Sequence, residues 1–422
     1  MSTYNDDELE APAWIDQRFL EEVLSTYENN EHVEVLNYEM SPASMKGDHY
    51  ASIMFRCKVE YRFGDNGTIL NKSLIIKTLP VEEGSKKREM LLESRLFETE
   101  IKMFSEVLPK IEKILAECGE PTRLSAGFIY QSLKPHKVII VEDLCTLGYD
   151  TVRGRYLNEE EIKMLYGKLA KLHAVSHMLG HSEDHECVTE LQDGYKLFSL
   201  TVMEEIWTHG IEHFLNMLSS HEEFSIYYQK VKDMKDSIRP TMVDLYRAFT
   251  LKQGKGDIFV LNHGDFHLKN LMFKFNHQQQ MEDVIMVDYQ LSTYAPANVD
   301  LMYSEYLLLG PEMRSKRNEI RQYYFTEFIR ILKKINYQGR LPKYSELQIS
   351  ALQYRQFSVY LLGVLLPLII GYFRKSAEEL NDVDTVELTE NRELNTPFYY
   401  APDFVDEVRR VMPKLLYEGF LD

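Results

Sequence analysis

The sequence has few cysteines and no surplus of positive charge, and both features exclude whole classes of protein. Only four cysteines occur among 422 residues, and none forms a Cys-x-x-Cys pair. Neither a disulfide framework nor a cysteine-rich zinc site is indicated, so we expect reduced thiols in a cytoplasmic protein. The 48 basic residues are outnumbered by 66 acidic ones, which gives a formal charge of −18. Because this charge repels phosphate backbones, nucleic acid is not an expected partner.

Long apolar runs are also scarce, and the most apolar stretch is short for a membrane span. Residues 357–373 carry no charge, but they contain Pro367 and two glycines. A helix that crosses a bilayer needs about 20 apolar residues, so a buried helix is favoured over an anchor. The start of the chain is acidic and polar, unlike a secretory signal. We therefore expect no membrane span; a monomer is also expected.

The first third of the chain is predicted to form mostly strands. Residues 52–62 alternate apolar and polar side chains, which is typical of a half-buried strand. A turn rich in Gly and Asp follows, and residues 73–79 form the returning strand of a hairpin that carries Lys77. Residues 86–108 are rich in Glu, Lys, Leu and Met, which predicts a helix that Pro109 ends.

Helices are predicted to dominate the rest of the chain. Two strands, at 127–133 and 137–141, come first. Residues 158–179 then form an amphipathic helix with Asn158 as its N-cap and Glu161 completing a capping box.

This layout predicts an α+β fold with two lobes, as in kinases. Residues 1–143 would form an antiparallel-sheet lobe, and residues 144–422 would form a mainly helical lobe. The two lobes would meet near residues 141–147.

The strongest chemical signal is the segment LNHGDFHLKNLMF, residues 261–273. A buried strand leads into a loop that holds Asp265 and Asn270, and a second apolar strand leaves the loop. A third apolar strand, at 284–287, ends in Asp288. The spacing His-x-Asp-x-x-x-x-Asn, followed by an aspartate at the end of a strand, is typical of kinase catalytic machinery.

Each of these polar residues has a chemical role in phosphoryl transfer. Asp265 would accept the proton of a substrate hydroxyl, and Asn270 and Asp288 would offer hard oxygen ligands to Mg²⁺. The alternative is that Asp265 and Asn270 are turn residues and that Asp288 caps a strand. The ordered set, between apolar strands, favours the catalytic interpretation.

Lys77 stands in an apolar strand, where its ammonium group needs a partner or a path to solvent. Kinases use such a lysine to bind the α- and β-phosphates and pair it with a helix glutamate. Glu98 and Glu100 are both candidates for that glutamate. Taken alone, Lys77 fits an edge residue that reaches solvent; beside the Asp265 loop, the phosphate role is favoured.

A buried strand that ends in an acidic pair indicates where the two lobes join. Residues 138–141 run into Glu142, Asp143 and Leu144, whose backbone would hydrogen-bond the adenine of a nucleotide. This signal is weak, because many buried strands end in acidic residues.

As a whole, these residues resemble the ecdysteroid kinase-like family, whose members carry the CHK kinase-like domain. HGDFHLKN and VDYQ are similar to motifs shared by aminoglycoside phosphotransferases and choline kinases. The phrases SLIIKTLP, FETEIKMFSEVLP, LAKLHAVSH and DYQLSTYAPANVDLMY narrow the resemblance to this family. It extends from about residue 13 to the carboxy terminus.

The resemblance implies a role for each site residue. Asp265 would be the catalytic base, Asn270 and Asp288 the metal ligands and Lys77 the phosphate-binding lysine. It selects Glu100 as the partner of this lysine.

The resemblance also implies that residues 44–52 cover the nucleotide. This loop contains only Gly47, unlike the Gly-x-Gly-x-x-Gly loop of protein kinases, so Ser44, Ser52 and backbone amides would have to cover the phosphates. Asp300 corresponds to a family aspartate that is expected to brace the catalytic loop. Position 267 is His, where many family members have Trp.

The implied function is ATP- and Mg²⁺-dependent phosphorylation of a hydroxyl on a small apolar molecule. Ecdysteroids, other sterols and hydroxylated xenobiotics are the candidate acceptors, with storage or detoxification as the purpose. The acceptor pocket would draw on the helical lobe, including parts of residues 193–218.

Three alternatives remain open. A choline- or aminoglycoside-type kinase would take a cationic substrate and need an acidic pocket. A protein kinase is disfavoured, because only eleven residues separate Asp288 from Asp300 and no Ala-Pro-Glu follows. The third alternative is a ligand-binding homologue that has lost turnover.

Overall fold

An antiparallel sheet of five strands forms the amino-terminal part of the chain. The computed structural model describes residues 10–43, 52–64, 67–80, 88, 91, 94–194, 196, 201–252, 256–374 and 392–422. The sheet contains β1 (Val33–Pro42), β2 (Ile53–Phe63), β3 (Leu70–Thr78), β4 (Phe128–Ser132) and β5 (Val138–Glu142), in the order β1-β2-β3-β5-β4. The alternation predicted along β2 is confirmed, because every second side chain is buried: Ile53, Phe55, Cys57, Val59 and Tyr61.

Helix α1 (Gln17–Glu28) packs against this sheet. It begins after Asp16, whose carboxylate accepts the backbone N–H of Phe19 at 2.8 Å, and it ends at Asn29 in the left-handed conformation. Three apolar side chains at helical spacing join the core beneath the sheet: Leu20, Val23 and Leu24.

The helix after β3 continues beyond the point at which we expected it to end. Helix α2 (Leu96–Lys102) runs into a π-helical turn (Met103–Val107) and then into α3 (Leu108–Glu117). The prediction that Pro109 ends the helix is therefore wrong. Pro109 lies in the first turn of α3, where a missing backbone N–H is tolerated.

The remaining part of the chain is mainly helical, as predicted. Helix α4 (Glu159–Leu179) begins at the predicted N-cap Asn158, and the capping box with Glu161 is confirmed. The described helices that follow are α5 (Glu186–Thr189), α6 (Thr201–Ser219), α7 (Ser225–Arg247), α8 (Asn298–Leu307), α9 (Pro311–Ser315), α10 (Arg317–Lys334), α11 (Tyr344–Gln353), α12 (Gln356–Tyr360), α13 (Leu366–Arg374), α14 (Arg392–Tyr399) and α15 (Pro402–Tyr417). A π-helical turn (Leu361–Leu365) joins α12 to α13.

Short strands interrupt these helices, and they include the three strands predicted around the Asp265 loop. β6 (Tyr149–Asp150), β8 (Leu271–Phe275) and β9 (Met281–Met286) form one small sheet, and β7 (Phe259–Asn262) pairs with β10 (Thr293–Pro296). Phe259 packs against both large hydrophobic cores of this part of the chain. The strand that leads into the candidate catalytic loop is therefore held between two cores.

No single helix in the described part of the chain is long and apolar enough to cross a bilayer. The only arrangement there that reaches the required length and composition joins residues 344–353 to residues 356–370, with a bend of 62° between them. Several side chains of the second segment lie in the core, namely Phe357, Val359, Tyr360, Leu361 and Leu362.

Candidate active site

The loop after β7 is shaped by a glycine that no other residue replaces easily. Gly264 has φ +85°, in the left-handed region. A Cβ added there would lie 2.1 Å from the carbonyl oxygen of Leu291. The backbone can therefore turn sharply between β7 and Asp265 and pass close to the segment that follows Asp288.

A buried aspartate on α8 holds the backbone of this loop. The Asp300 carboxylate accepts the N–H groups of His263 at 2.6 Å and Gly264 at 2.9 Å. His173 on α4 contacts the same carboxylate through Nε2 at 3.1 Å, and its Nδ1 lies 2.7 Å from the Tyr324 hydroxyl. Asp300 and His173 are fully buried, so these contacts tie the loop to the core of the helical part.

Asp265 is held from three directions. Its Oδ2 accepts the amide N–H of Asn270 at 2.9 Å, and its Oδ1 accepts the hydroxyl of Tyr303 at 2.6 Å. His267 Nε2 lies 3.3 Å from Oδ1. Burial alone would raise the pKa of Asp265, but His267 and Tyr303 lower it well below the usual range. Asp265 is therefore ionised, with a defined orientation.

Lys77 on β3 lies between two carboxylates. Its Nζ is 2.5 Å from Oε2 of Glu100 on α2 and 2.8 Å from Oδ1 of Asp288. Burial opposes the charge on Lys77, but Asp288 and Glu100 together raise its pKa above the usual value. Burial raises the pKa of Glu100 to about 7; Lys77 opposes this shift, and the charge of Asp288 adds to it. The other candidate glutamate, Glu98, pairs with Lys137 at 3.2 Å instead.

Asp288 adopts an uncommon backbone conformation. It follows β9 with φ +64°, a left-handed conformation that side chains other than Gly rarely take. The N–H of the preceding residue, Val287, donates to the carbonyl of Asn270 at 3.0 Å, so the two candidate metal ligands lie on adjacent backbone segments.

The donor atoms of Asn270 and Asp288 fit Mg²⁺. The Asn270 amide nitrogen donates to both the carboxylate and the carbonyl of Asp265, so its Oδ1 is the atom left for a cation. Within the described residues, no group of three or more His, Cys, Asp and Glu side chains could hold a metal ion. Two protein ligands suit Mg²⁺, which usually keeps several waters and binds substrate phosphates.

Two of the three backbone amides at the predicted hinge already donate to the sheet. The N–H of Glu142 donates to Gly127 at 2.9 Å, and the N–H of Asp143 donates to Ser73 at 3.2 Å. The Asp143 carboxylate accepts Arg56 Nε at 2.7 Å. Contacts to adenine at this point would therefore use the N–H of Leu144 or backbone carbonyls.

The predicted nucleotide-covering loop lies almost wholly outside the described residues. Ser44 and Gly47 fall there, whereas Ser52 is described and is buried at the start of β2.

Sequence reasoning missed Tyr303, which contacts the candidate catalytic base directly. Its signal was its position three residues after Asp300, because residues with this spacing share one face of a helix. Tyr303 is half-buried and packs against the hydrophobic core that includes Phe214, Tyr246 and Phe357. Trp207 on α6 and Leu365 are half-buried against the same core. Trp207 in turn lies 5.8 Å from the ring of Tyr360.

Comparisons with known proteins bear on the family and the fold. The model of the ecdysteroid kinase-like family matches residues 46–337. No curated protein matches the chain.

Solved structures of kinases also resemble the chain at low identity. A choline kinase from Cryptosporidium parvum is 12% identical, with a TM-score of 0.42, over 96% of this chain and 100% of its own. A spectinomycin phosphotransferase in complex with ADP and spectinomycin is 15% identical, with a TM-score of 0.39, over 92% of this chain and 99% of its own. An ethanolamine kinase from Plasmodium vivax is 11% identical, with a TM-score of 0.36, over 88% of this chain and 83% of its own.

Proposed function

The chain belongs to the ecdysteroid kinase-like family, a family of small-molecule kinases with the protein-kinase-like fold, and from this membership we propose that it is an ATP- and Mg²⁺-dependent kinase. Its acceptor is a hydroxyl on a small apolar molecule, such as an ecdysteroid, another sterol or a hydroxylated xenobiotic. The observation that carries the proposal is the Lys77–Glu100–Asp288 cluster next to the Asp265–Asn270 pair.

In this proposal Asp265 positions the acceptor hydroxyl. Its low pKa makes it a weak base, so it orients the hydroxyl first and receives the proton as transfer proceeds. General-base catalysis of this kind contributes roughly 10²–10⁴-fold to the rate. Its fixed orientation supports the role, because phosphoryl transfer depends chiefly on alignment and charge.

Lys77 binds the phosphates of the nucleotide, and Glu100 keeps the ammonium group in place. Asn270 and Asp288 would hold Mg²⁺, which supplies positive charge to the phosphate oxygens. In the same proposal, residues 1–143 form the lobe that covers the nucleotide. Residues 144–422 then form the lobe that carries Asp265 and the acceptor site.

An apolar acceptor is supported by apolar side chains that pack on the same core as Tyr303, the residue that contacts Asp265. Trp207, Tyr303 and Leu365 come from three elements that pack on one core, and each leaves apolar surface exposed. Apolar and aromatic walls with a single directing polar group suit a neutral ring-bearing alcohol.

The test is phosphoryl transfer to a defined panel of acceptors. The protein is incubated with ATP and Mg²⁺ over pooled ecdysteroids, sterols, phenols and choline, and products are identified by mass spectrometry. Asp265→Asn should lower product formation roughly 10²–10⁴-fold and leave a measurable residual rate. The control is Asp257→Asn, which alters a carboxylate that accepts a hydrogen bond from the Tyr354 hydroxyl at 2.9 Å; it should leave product formation unchanged. Phosphorylation of choline alone would contradict the apolar acceptor, and ATP binding without any product would contradict the kinase.

A further inference from the structure

One face of α8 holds both the backbone and the side chain of the candidate catalytic loop. Asp300 accepts the loop's N–H groups, and Tyr303, three residues further on, donates to Asp265 Oδ1 at 2.6 Å. On the basis of the proposed kinase function, we propose that Tyr303 is a positioning residue that holds Asp265 in the orientation needed by the acceptor hydroxyl.

The hydrogen bonds of Asp265 leave little room for another orientation. A carboxylate has about four lone-pair positions, and three are in use here. Asn270 occupies one on Oδ2, while Tyr303 and His267 occupy two on Oδ1. About one position therefore remains for a substrate hydroxyl, and rotation of the Asp265 side chain would break several contacts at once.

His267 acts on the same oxygen as Tyr303. Its Nδ1 accepts the N–H of Lys269 at 3.2 Å, and its Nε2 lies 3.3 Å from Asp265 Oδ1. The rings of His267 and Tyr303 are 6.4 Å apart and inclined by 28°. The two side chains therefore restrain Oδ1 together, one from the loop itself and one from α8.

Tyr303 remains a hydrogen-bond donor over the whole working pH range. Burial, and then the charge of Asp265, raise the pKa of its hydroxyl well above the ordinary value. The ring is half-buried, so its outer edge is available to the acceptor while its hydroxyl stays on the base. Tyr303 thus joins the base to the apolar wall proposed for the acceptor.

The test removes one oxygen atom. Tyr303→Phe should lower kcat roughly 10–100-fold, the effect of losing a hydrogen bond to a charged group, with the KM for ATP unchanged. Tyr166→Phe is the matched control, because its buried hydroxyl lies 2.7 Å from Ser304 on the same helix but does not touch Asp265. This control should lower stability and leave kcat unchanged.

A double-mutant cycle separates positioning from general packing. In an Asp265→Asn background, Tyr303→Phe should cause no further loss of kcat, since its effect acts through the carboxylate. An equal loss in both backgrounds would overturn the proposal, as would an unchanged kcat in the single variant.

The wild type, Tyr303→Phe, Asp265→Asn and the double variant also allow a test of the Tyr303–Asp265 contact that needs no acceptor. If the wild type transfers no phosphate to any acceptor, the proposed function fails, and thermal unfolding then tests the contact itself. Non-additive changes in stability would still support Tyr303 as the residue that holds Asp265, whereas additive changes would overturn it.

Discussion

Two buried ionic clusters in this chain have opposite designs. In the site, one ammonium group, on Lys77, serves the two carboxylates of Glu100 and Asp288. Far along the chain, Arg314 pairs with Glu407 at 2.5 Å, and both side chains are at most 3% exposed.

Arg314 satisfies its remaining donors within the protein. Its guanidinium group donates to the carbonyls of Glu305 at 2.8 Å, Tyr306 at 3.1 Å and Leu309 at 2.6 Å, which tie α8, α9 and the segment between them together. Such a cluster has nothing left to offer a ligand. The fixed fork of arginine suits this role, whereas the compact ammonium of lysine can be shared with an incoming group.

The comparison teaches that local charge balance, together with access to solvent, distinguishes the two clusters. The site cluster carries more negative than positive charge, and the Asp288 side chain is 22% exposed. An uncompensated carboxylate that reaches solvent is suited to bind a cation. The charge of Glu407 is met by Arg314 and by Arg410, and such a carboxylate is suited to hold helices together.

The largest expected effect comes from breaking the sealed pair. Arg314→Leu should destabilise the protein by about 3–5 kcal/mol, because three carbonyls lose their donor in the core and Glu407 keeps only the partly exposed Arg410 at 2.8 Å. Urea unfolding measures it. Arg409→Leu, which breaks an exposed pair with Glu223 at 2.7 Å, is the control and should cost much less, because water screens exposed charges. If both variants lost the same amount of stability, burial of the Arg314–Glu407 pair would not be the source of its effect.

The site cluster should tolerate the loss of its cation better. Lys77→Met should cost roughly 1–3 kcal/mol, because Glu100 can bind a proton and Asp288 can reach water. The same variant should lose transfer activity roughly 10²–10³-fold, as when a preorganised donor is removed. Unfolding and turnover are measured on one preparation. A stability loss equal to that of Arg314→Leu would contradict the proposed excess of negative charge.

The smallest effect, counted per pH unit, is expected at His177, a buried titratable group outside both clusters. Burial lowers the pKa of His177 to about 4, so the folded state resists its protonation. The unfolded chain binds that proton more readily than the folded state does. The contribution of neutral His177 to the free energy of unfolding is therefore fully present above about pH 6.5, and it is lost as the pH falls toward 4, by at most about 1.4 kcal/mol per pH unit. His177→Gln should flatten this slope. The exposed His185→Gln is the control, and equal slopes in both variants would refute the assignment.

Much of the site's composition could be predicted from short-range patterns. The hairpin that carries Lys77, the capped helix after Asn158 and the loop that carries Asp265 each follow from periodicity and turn chemistry in one segment. Pro109 shows where this reasoning fails. Its context favoured a helix end, but the helix continues because the proline lies in the first turn after a π-helical turn.

The sequence by itself determined the order of elements, the family resemblance and the identity of the polar residues proposed for the site, because these depend on local spacing. Only the tertiary structure decided which of them meet. Glu100 and Glu98 are two residues apart, so they point to different sides of α2, and only packing against β3 brings Glu100 to Lys77 while Glu98 meets Lys137. The contact of Tyr303 with Asp265 likewise joins residues 38 positions apart. Contacts of this range depend on how helices and strands pack, and no local pattern encodes that packing.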